Sequence, residues 1–149
     1  MEELVTALKI LLANQTFMYY KTHSYHWNIE GIEFSQYHDF FGELYTDIYA
    51  STDPTAENIR KLDAYAPFKL SRFIELNEVG EPDVTSDPMM MSADLLMAND
   101  MVLTKLVDAC DMATANRQHA LANFFAERMD MHQRWHWMLT VSLKNIGTD

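Results

Sequence analysis

The sequence predicts an all-α protein, a four-helix bundle with one long crossover containing a short helix. Three observations predict it: apolar residues recur at three- and four-residue spacing over four long stretches, strand-type alternation is almost absent, and one connection is too long for a hairpin. In the first stretch, Leu4, Leu8, Leu11, Leu12, Met18 and Tyr25 give a helix from about residue 2 to about residue 28, broken by Gly31. The second keeps the period from about 34 to 64 through Phe34, Tyr37, Phe41, Leu44, Tyr45, Ile48, Thr52, Ile59 and Leu62. Pro54 removes a backbone donor and crowds the carbonyl of Ala50, so a kink or break is expected there. After Pro67, Phe68 to Leu76 has room only for a short helix, and Gly80, Pro82 and Pro88 mark an irregular crossover. A third long helix is expected from Met89 or Ser92 to about Asn116, with Asp87 or Ser92 as N-cap. A fourth runs from about Gln118 to about Lys144, and Gly147 suits the stop.

At 149 residues the chain is expected to be a single domain, 1–149, burying roughly two-thirds of the surface its unfolded form exposes. No apolar run approaches the ~20 residues of a membrane span, and the Met-Glu-Glu-Leu start lacks the basic region of a secretory signal. A cytoplasmic protein without a membrane partner is therefore expected. The single cysteine, Cys110, agrees; it cannot form an internal disulfide and reads as a small buried hydrophobe. Twenty-two acidic against 11 basic residues give a net charge of −11, which repels nucleic acid and concentrates small cations.

Four residues have the chemistry of metal ligands: His26, His38, Asp53 and Glu57. His26 and His38 lie nearly symmetrically about the break near Gly31, so a hairpin of the first two helices brings them to similar heights. On the second helix, Asp53 lies ~60° and Glu57 ~100° round from His38, within one broad stripe. The 15 residues from His38 to Asp53 nevertheless separate them by ~22 Å along the axis, against metal–ligand bonds near ~2 Å. One subunit cannot gather all four. A two-fold axis crossing this helix pair would set His26 and His38 of one subunit opposite Asp53 and Glu57 of its mate, twice per dimer. Two imidazoles and two carboxylates suit iron, zinc or manganese, and iron brings useful redox chemistry. On spacing alone the plainer reading also stands, with two satisfied core histidines and a solvated acidic face.

The stretch Lys-Thr-His-Ser-Tyr-His-Trp-Asn at 21–28, Gly31, Phe34, His38, Asp53 and Ala56-Glu57 resembles the ferroxidase signature of the Dps family, the miniferritins that protect DNA in starved bacteria. The steps of 12, 15 and 4 residues match. Pro67 fits the end of that family's second helix, and Trp137-Met138-Leu139 looks like the Trp-containing segment of its last. The resemblance implies a ferritin-like bundle assembled as a hollow homo-oligomeric dodecamer, with ferroxidase sites at two-fold dimer interfaces. Such sites oxidise Fe(II), preferentially with hydrogen peroxide, and ferric mineral is stored inside, which protects against oxidative damage. It assigns His26 and His38 as ligands from one chain and Asp53 and Glu57 as ligands from the other, with iron as the metal and zinc as a substitute. Glu57 is the bridging ligand if two irons bind. Trp27 is implied as a redox neighbour, against its plainer reading as a packing aromatic. Glu43 and Asp47 resemble inner-surface carboxylates that nucleate mineral, against a solvated face.

The sequence also departs from the family. Gly42 stands where a carboxylate often follows the second histidine, Pro54 follows a ligand, and Asn58 replaces an Arg. Arg117, Gln118, His119 and Asn123 occupy the region that usually supplies acidic pore residues. The lysine-rich tail that some members use on DNA is missing, so no strong direct DNA binding is expected. His132 and His136, at i,i+4, lack a third ligand and read as packing or surface histidines; His23 and His119 carry no separate role. Eleven methionines, with Met89-Met90-Met91 among them, read as flexible core filler ahead of an oxidant sink. An enzyme with its di-iron site inside one bundle would need two Glu-x-x-His motifs, and the chain has none. The remaining rival is a non-enzymatic shell that sequesters metal or coats DNA.

Overall fold

Residues 1–144 are described by a computed structural model, and among them there are five helices and no strand. Helix α1 spans Glu2–Asn28, α2 Phe34–Lys61, α3 Leu70–Leu76, α4 Pro88–Ala115 and α5 His119–Ser142. The expected stop at Gly147 lies outside the described residues. Helices α1 and α2 form one hairpin and α4 and α5 the other; α1 packs on α4, and the short α3 lies against α1. Leu8, Leu11, Met18, Phe41, Leu44, Ile48, Leu95, Val102, Leu106 and Phe125 fill the space between them, each at most 2% exposed. This is the all-α bundle with one long crossover that the apolar spacing predicts.

The crossover, residues 77–87, is irregular but tied down by polar side chains of α1. Asn14, fully buried, donates to Oε1 of Glu78 (3.1 Å) and accepts from its backbone N–H (2.7 Å). Lys21, 2% exposed, pairs with Asp94 at 3.0 Å, and the Tyr25 hydroxyl donates to the other oxygen of that carboxylate. The same hydroxyl accepts from the N–H of Asp83 at 2.9 Å. Buried cations and phenols need such partners, and here the partners fix the path of the chain. Of the two expected N-caps of α4, Asp87 is the one used. Pro88 opens α4 as its first residue, where a missing N–H costs nothing, and Asp87 caps it by accepting from the Met89 N–H at 2.9 Å. Pro54 does not break α2, which runs unbroken to Lys61. The carbonyl it deprives of a partner belongs to Ala50, an exposed residue, where the loss of a helical hydrogen bond costs less than it would in the core. Nearby Ser51, Thr52 and Thr55 hydroxyls donate to the carbonyls of Ile48, Tyr49 and Ser51.

No helix of the described residues is long and apolar enough to cross a membrane. Cys110 is half-buried, with its thiol 3.6 Å from the carbonyl of Ala122 across the α4–α5 contact.

Candidate metal centre

The end of α1 and the start of α2 place His26 and His38 face to face. Their rings stack at 3.7 Å between centroids and 16° between planes, with Phe34 stacked on the outer face of His38 at 4.8 Å. The turn between them needs Gly31, whose φ of +123° is strained for any side chain. Each histidine is locked by the backbone of the other: Nδ1 of His26 lies 2.6 Å from the carbonyl oxygen of His38, and Nδ1 of His38 lies 2.7 Å from that of His26. A carbonyl only accepts, so both Nδ1 atoms carry the proton and donate. In each neutral ring the lone pair is then on Nε2, the tautomer and orientation that metal-bound histidines show.

Gly42 completes this arrangement. A Cβ added there would stand 3.3 Å from Cε1 of His26 and 3.4 Å from its Nδ1. The position where the family often carries an acid therefore holds the edge of the His26 ring. The His38 carbonyl orients that ring.

Asp53 and Glu57 are exposed on α2, one turn apart, on the stretch that Pro54 leaves helical. Among the described residues no three His, Cys, Asp or Glu side chains gather where they could hold a metal ion, so neither acid joins the histidine pair within one chain. The structure brings together the two nitrogen donors and leaves the two carboxylates apart on the same helix. A solvated, unpaired face of that kind is what a two-fold mate could cover.

An aromatic cluster adjoins the pair. His23, to which the sequence reading gave no role, stacks on Tyr45 at 4.0 Å and 11° and lies 4.1 Å from Trp27. Its Nδ1 is 3.0 Å from the Tyr19 hydroxyl. Burial, and then the nearby His26, lower its pKa. The signal that could have found this cluster is the i,i+4 chain Tyr19, His23, Trp27 on the face that also carries His26. Trp27 itself is 55% exposed in the single chain.

Asp47 is tied to α5. It was a candidate for mineral nucleation, but its carboxylate is held by both Nη atoms of Arg128 (2.9 and 3.0 Å) and by Nε1 of Trp135 (2.8 Å). Burial would raise its pKa, yet the hydrogen bonds and charge of Arg128, with Trp135, carry it below the ordinary carboxylate value. These three hydrogen bonds take up most of its acceptor capacity, although Asp47 still lines the same open cleft as Glu43. His132 is also committed. It is fully buried, with Nδ1 2.8 Å from Oδ1 of Asn99 and Nε2 3.2 Å from Nη2 of Arg128. Arg128 can only donate, so Nε2 accepts and Nδ1–H donates, and burial pushes the pKa down to about 3. The His132–His136 metal pinch is thereby excluded, since His136 turns instead to Asp100 at 2.7 Å. Glu43 is exposed and, with Asp39 one turn earlier, lines an open cleft beside His26 and Gly42; Asp39 was not singled out from sequence.

The chain matches the family described as ferritin-like domain over residues 5–148. It is 38% identical over 64 residues to antigen TpF1 of Treponema pallidum, a match covering 43% of this chain and 36% of that protein. That match thus spans about a third of the relative's length. The DNA protection during starvation protein of Helicobacter pylori is 34% identical over 79 residues, covering 53% of this chain and 55% of the relative. Among solved structures, the Dps protein of Vibrio cholerae, described as a ferritin-like diiron-carboxylate protein, superposes with a TM-score of 0.93. The identity is 29%, over 96% of this chain and 90% of that one.

Proposed function

From the premise that this chain belongs to the ferritin-like family, in its Dps branch, we propose that it is a ferroxidase and iron-storage protein working as a closed homo-oligomeric cage. Fe(II) is the substrate, hydrogen peroxide the preferred oxidant, and ferric mineral the stored product. His26 and His38 of one subunit hold the ion through Nε2, with Asp53 and Glu57 of the partner subunit supplying the oxygens. Mixed nitrogen and oxygen donors accept iron in both oxidation states, and zinc competes for the same set. The observation that carries this reading is the reciprocal hydrogen bonding of the two histidines, which leaves two parallel rings each with its Nε2 lone pair uncommitted.

Carboxylates of the partner favour the ferric product, since a hard trivalent cation gains more from anionic oxygen than the ferrous ion does. Glu43, exposed and free where Asp47 is not, is the inner-surface acid proposed to start mineral. Trp27, beside His23, is a neighbour able to give up an electron. Removing Fe(II) and peroxide together would protect DNA without touching it, and a net charge of −11 is consistent with no strong direct DNA binding. A dodecamer of 17.3 kDa subunits elutes at about 200 kDa.

The test mixes anaerobic protein with Fe(II), adds peroxide and follows ferric absorbance, against a His26→Ala/His38→Ala double variant. A fast rise lost in the variant supports the enzyme. Equal rates in both would leave only a shell that sequesters metal or coats DNA.

A further inference from the structure

The histidine pair is joined through adjoining rings to a phenol whose hydroxyl lies within hydrogen-bond distance of an imidazole nitrogen. Tyr45 stands edge-on to His26 at 5.2 Å and lies flat on His23 at 4.0 Å. Beyond His23, the Tyr19 hydroxyl is 3.0 Å from Nδ1. Tyr19 is half-buried, and Tyr45 at 6.1 Å and Tyr49 at 4.9 Å are its further aromatic neighbours. Trp27 is also close to His23, at 4.1 Å between ring centroids, but it is 55% exposed.

We propose that Tyr19 and His23 form a one-electron donor pair for the histidine centre: Tyr19 releases an electron through the rings of His23 and Tyr45 while its phenol proton passes to Nδ1 of His23. The proposal rests on the peroxide-driven ferroxidase reading above. A phenol is a poor electron donor while it keeps its proton, because the oxidised phenol is a strong acid. A base held at hydrogen-bond distance removes that obstacle, and a neutral imidazole is the side chain suited to accept and return a proton.

The pair answers a problem of electron count. Peroxide needs two electrons, whereas a centre holding a single Fe(II) supplies one, so cleavage of the O–O bond leaves hydroxide and a hydroxyl radical. Tyr19 supplies the second electron. The radical is reduced to hydroxide, the proton rests on His23, and Tyr19 is left as a neutral phenoxyl radical. A second Fe(II) then returns the electron, His23 returns the proton, and Tyr19 is restored. In sum two Fe(II) become Fe(III) and one peroxide becomes two hydroxides, without release of the radical.

The experiment loads the assembled protein anaerobically with one Fe(II) per subunit, mixes it with hydrogen peroxide, freezes within milliseconds and records the electron paramagnetic resonance spectrum. Ferric absorbance and spin-trapped hydroxyl radical are read in parallel. The wild type is expected to show a phenoxyl signal. Tyr19→Phe and His23→Phe, which keep the ring packing, are expected to lose most of it and to release several-fold more trapped hydroxyl radical, with ferric iron still formed. An unchanged phenoxyl signal in Tyr19→Phe, or an indole signal from Trp27 in its place, overturns the pair while leaving the ferroxidase intact. A wild type that forms no ferric iron overturns the reading beneath it as well.

Discussion

Two histidine environments in this chain use the same side chain to opposite ends. At His26 and His38 only Nδ1 of each ring is engaged, by a backbone carbonyl, and the rings are half-buried at the edge of the bundle. At His132 both nitrogens are engaged, by Asn99 and Arg128, and the ring is fully buried. The first arrangement orients a lone pair and leaves it available; the second consumes the lone pair to satisfy a buried arginine. What makes a histidine a ligand is therefore the number of ring nitrogens the fold has already used, more than its proximity to another histidine.

Removing both members of the first pair should have the largest effect. Loss of an outer-shell partner alone costs about 10–100-fold in metal affinity or activity, so His26→Ala/His38→Ala should slow ferric formation by at least about 100-fold. The fold should survive, because half-buried rings at the end of a bundle carry little of the core. Changing the second region should do the reverse. Arg128→Met leaves Asp47 and His132 without their shared partner, which should destabilise the fold by about 3–5 kcal/mol in urea unfolding. Ferric formation per folded subunit should stay near wild type. A large loss of activity with intact stability would mean that the network serves the chemistry directly.

The pH dependence of stability sharpens the contrast further. His132 titrates at about 6.5 when unfolded and is pushed down to about 3 in the fold. Above pH ~6.5 the ring is neutral in both states, so its contribution is constant. As the pH falls from ~6.5 towards ~3, the unfolded chain takes up a proton that the folded chain refuses. Stability then drops by about 1.4 kcal/mol per pH unit. Asp47, lowered in the fold, keeps its contribution above its ordinary value of 3.8 and loses it only in stronger acid. A urea midpoint that does not move between pH ~6.5 and ~4 would show His132 protonated in the fold. The smallest change is expected from Gly42→Ala. Its Cβ meets His26 at 3.3 Å, so the ring must give by a few tenths of an ångström. Zinc binding by calorimetry should weaken by up to about 10-fold, and an unchanged affinity would remove Gly42 from the account.

Much of the bundle was legible because the helical period is set by local sequence: Leu4, Leu8, Leu11 and Met18 mark the buried side of α1 whatever they pack against. The break allowed for at Pro54 is absent for the opposite reason. Whether proline breaks a helix depends on whether the orphaned carbonyl is buried, and Ala50 is exposed. The histidine pair was visible in its symmetry about Gly31, but not the exchange of Nδ1 hydrogen bonds, which depends on the close approach of two backbones. Asp47 could not be told from Glu43 by sequence, since both are acids on α2. Only the arrival of Arg128 and Trp135 from α5 separates them. The role of Gly42 was hidden in the same way, because a missing side chain shows its purpose only when another occupies the space.

The central claim is that one subunit's histidines work with its partner's carboxylates, and subunit complementation tests it most directly. A His26→Ala/His38→Ala chain and an Asp53→Ala/Glu57→Ala chain, each inactive alone, are produced together so that mixed dimers form. In each mixed dimer one site regains all four ligands and the other loses all four. Random pairing should therefore restore rapid ferric formation at about a quarter of the sites of the wild-type cage. Mixed cages as inactive as either parent would contradict a site shared across the two-fold axis.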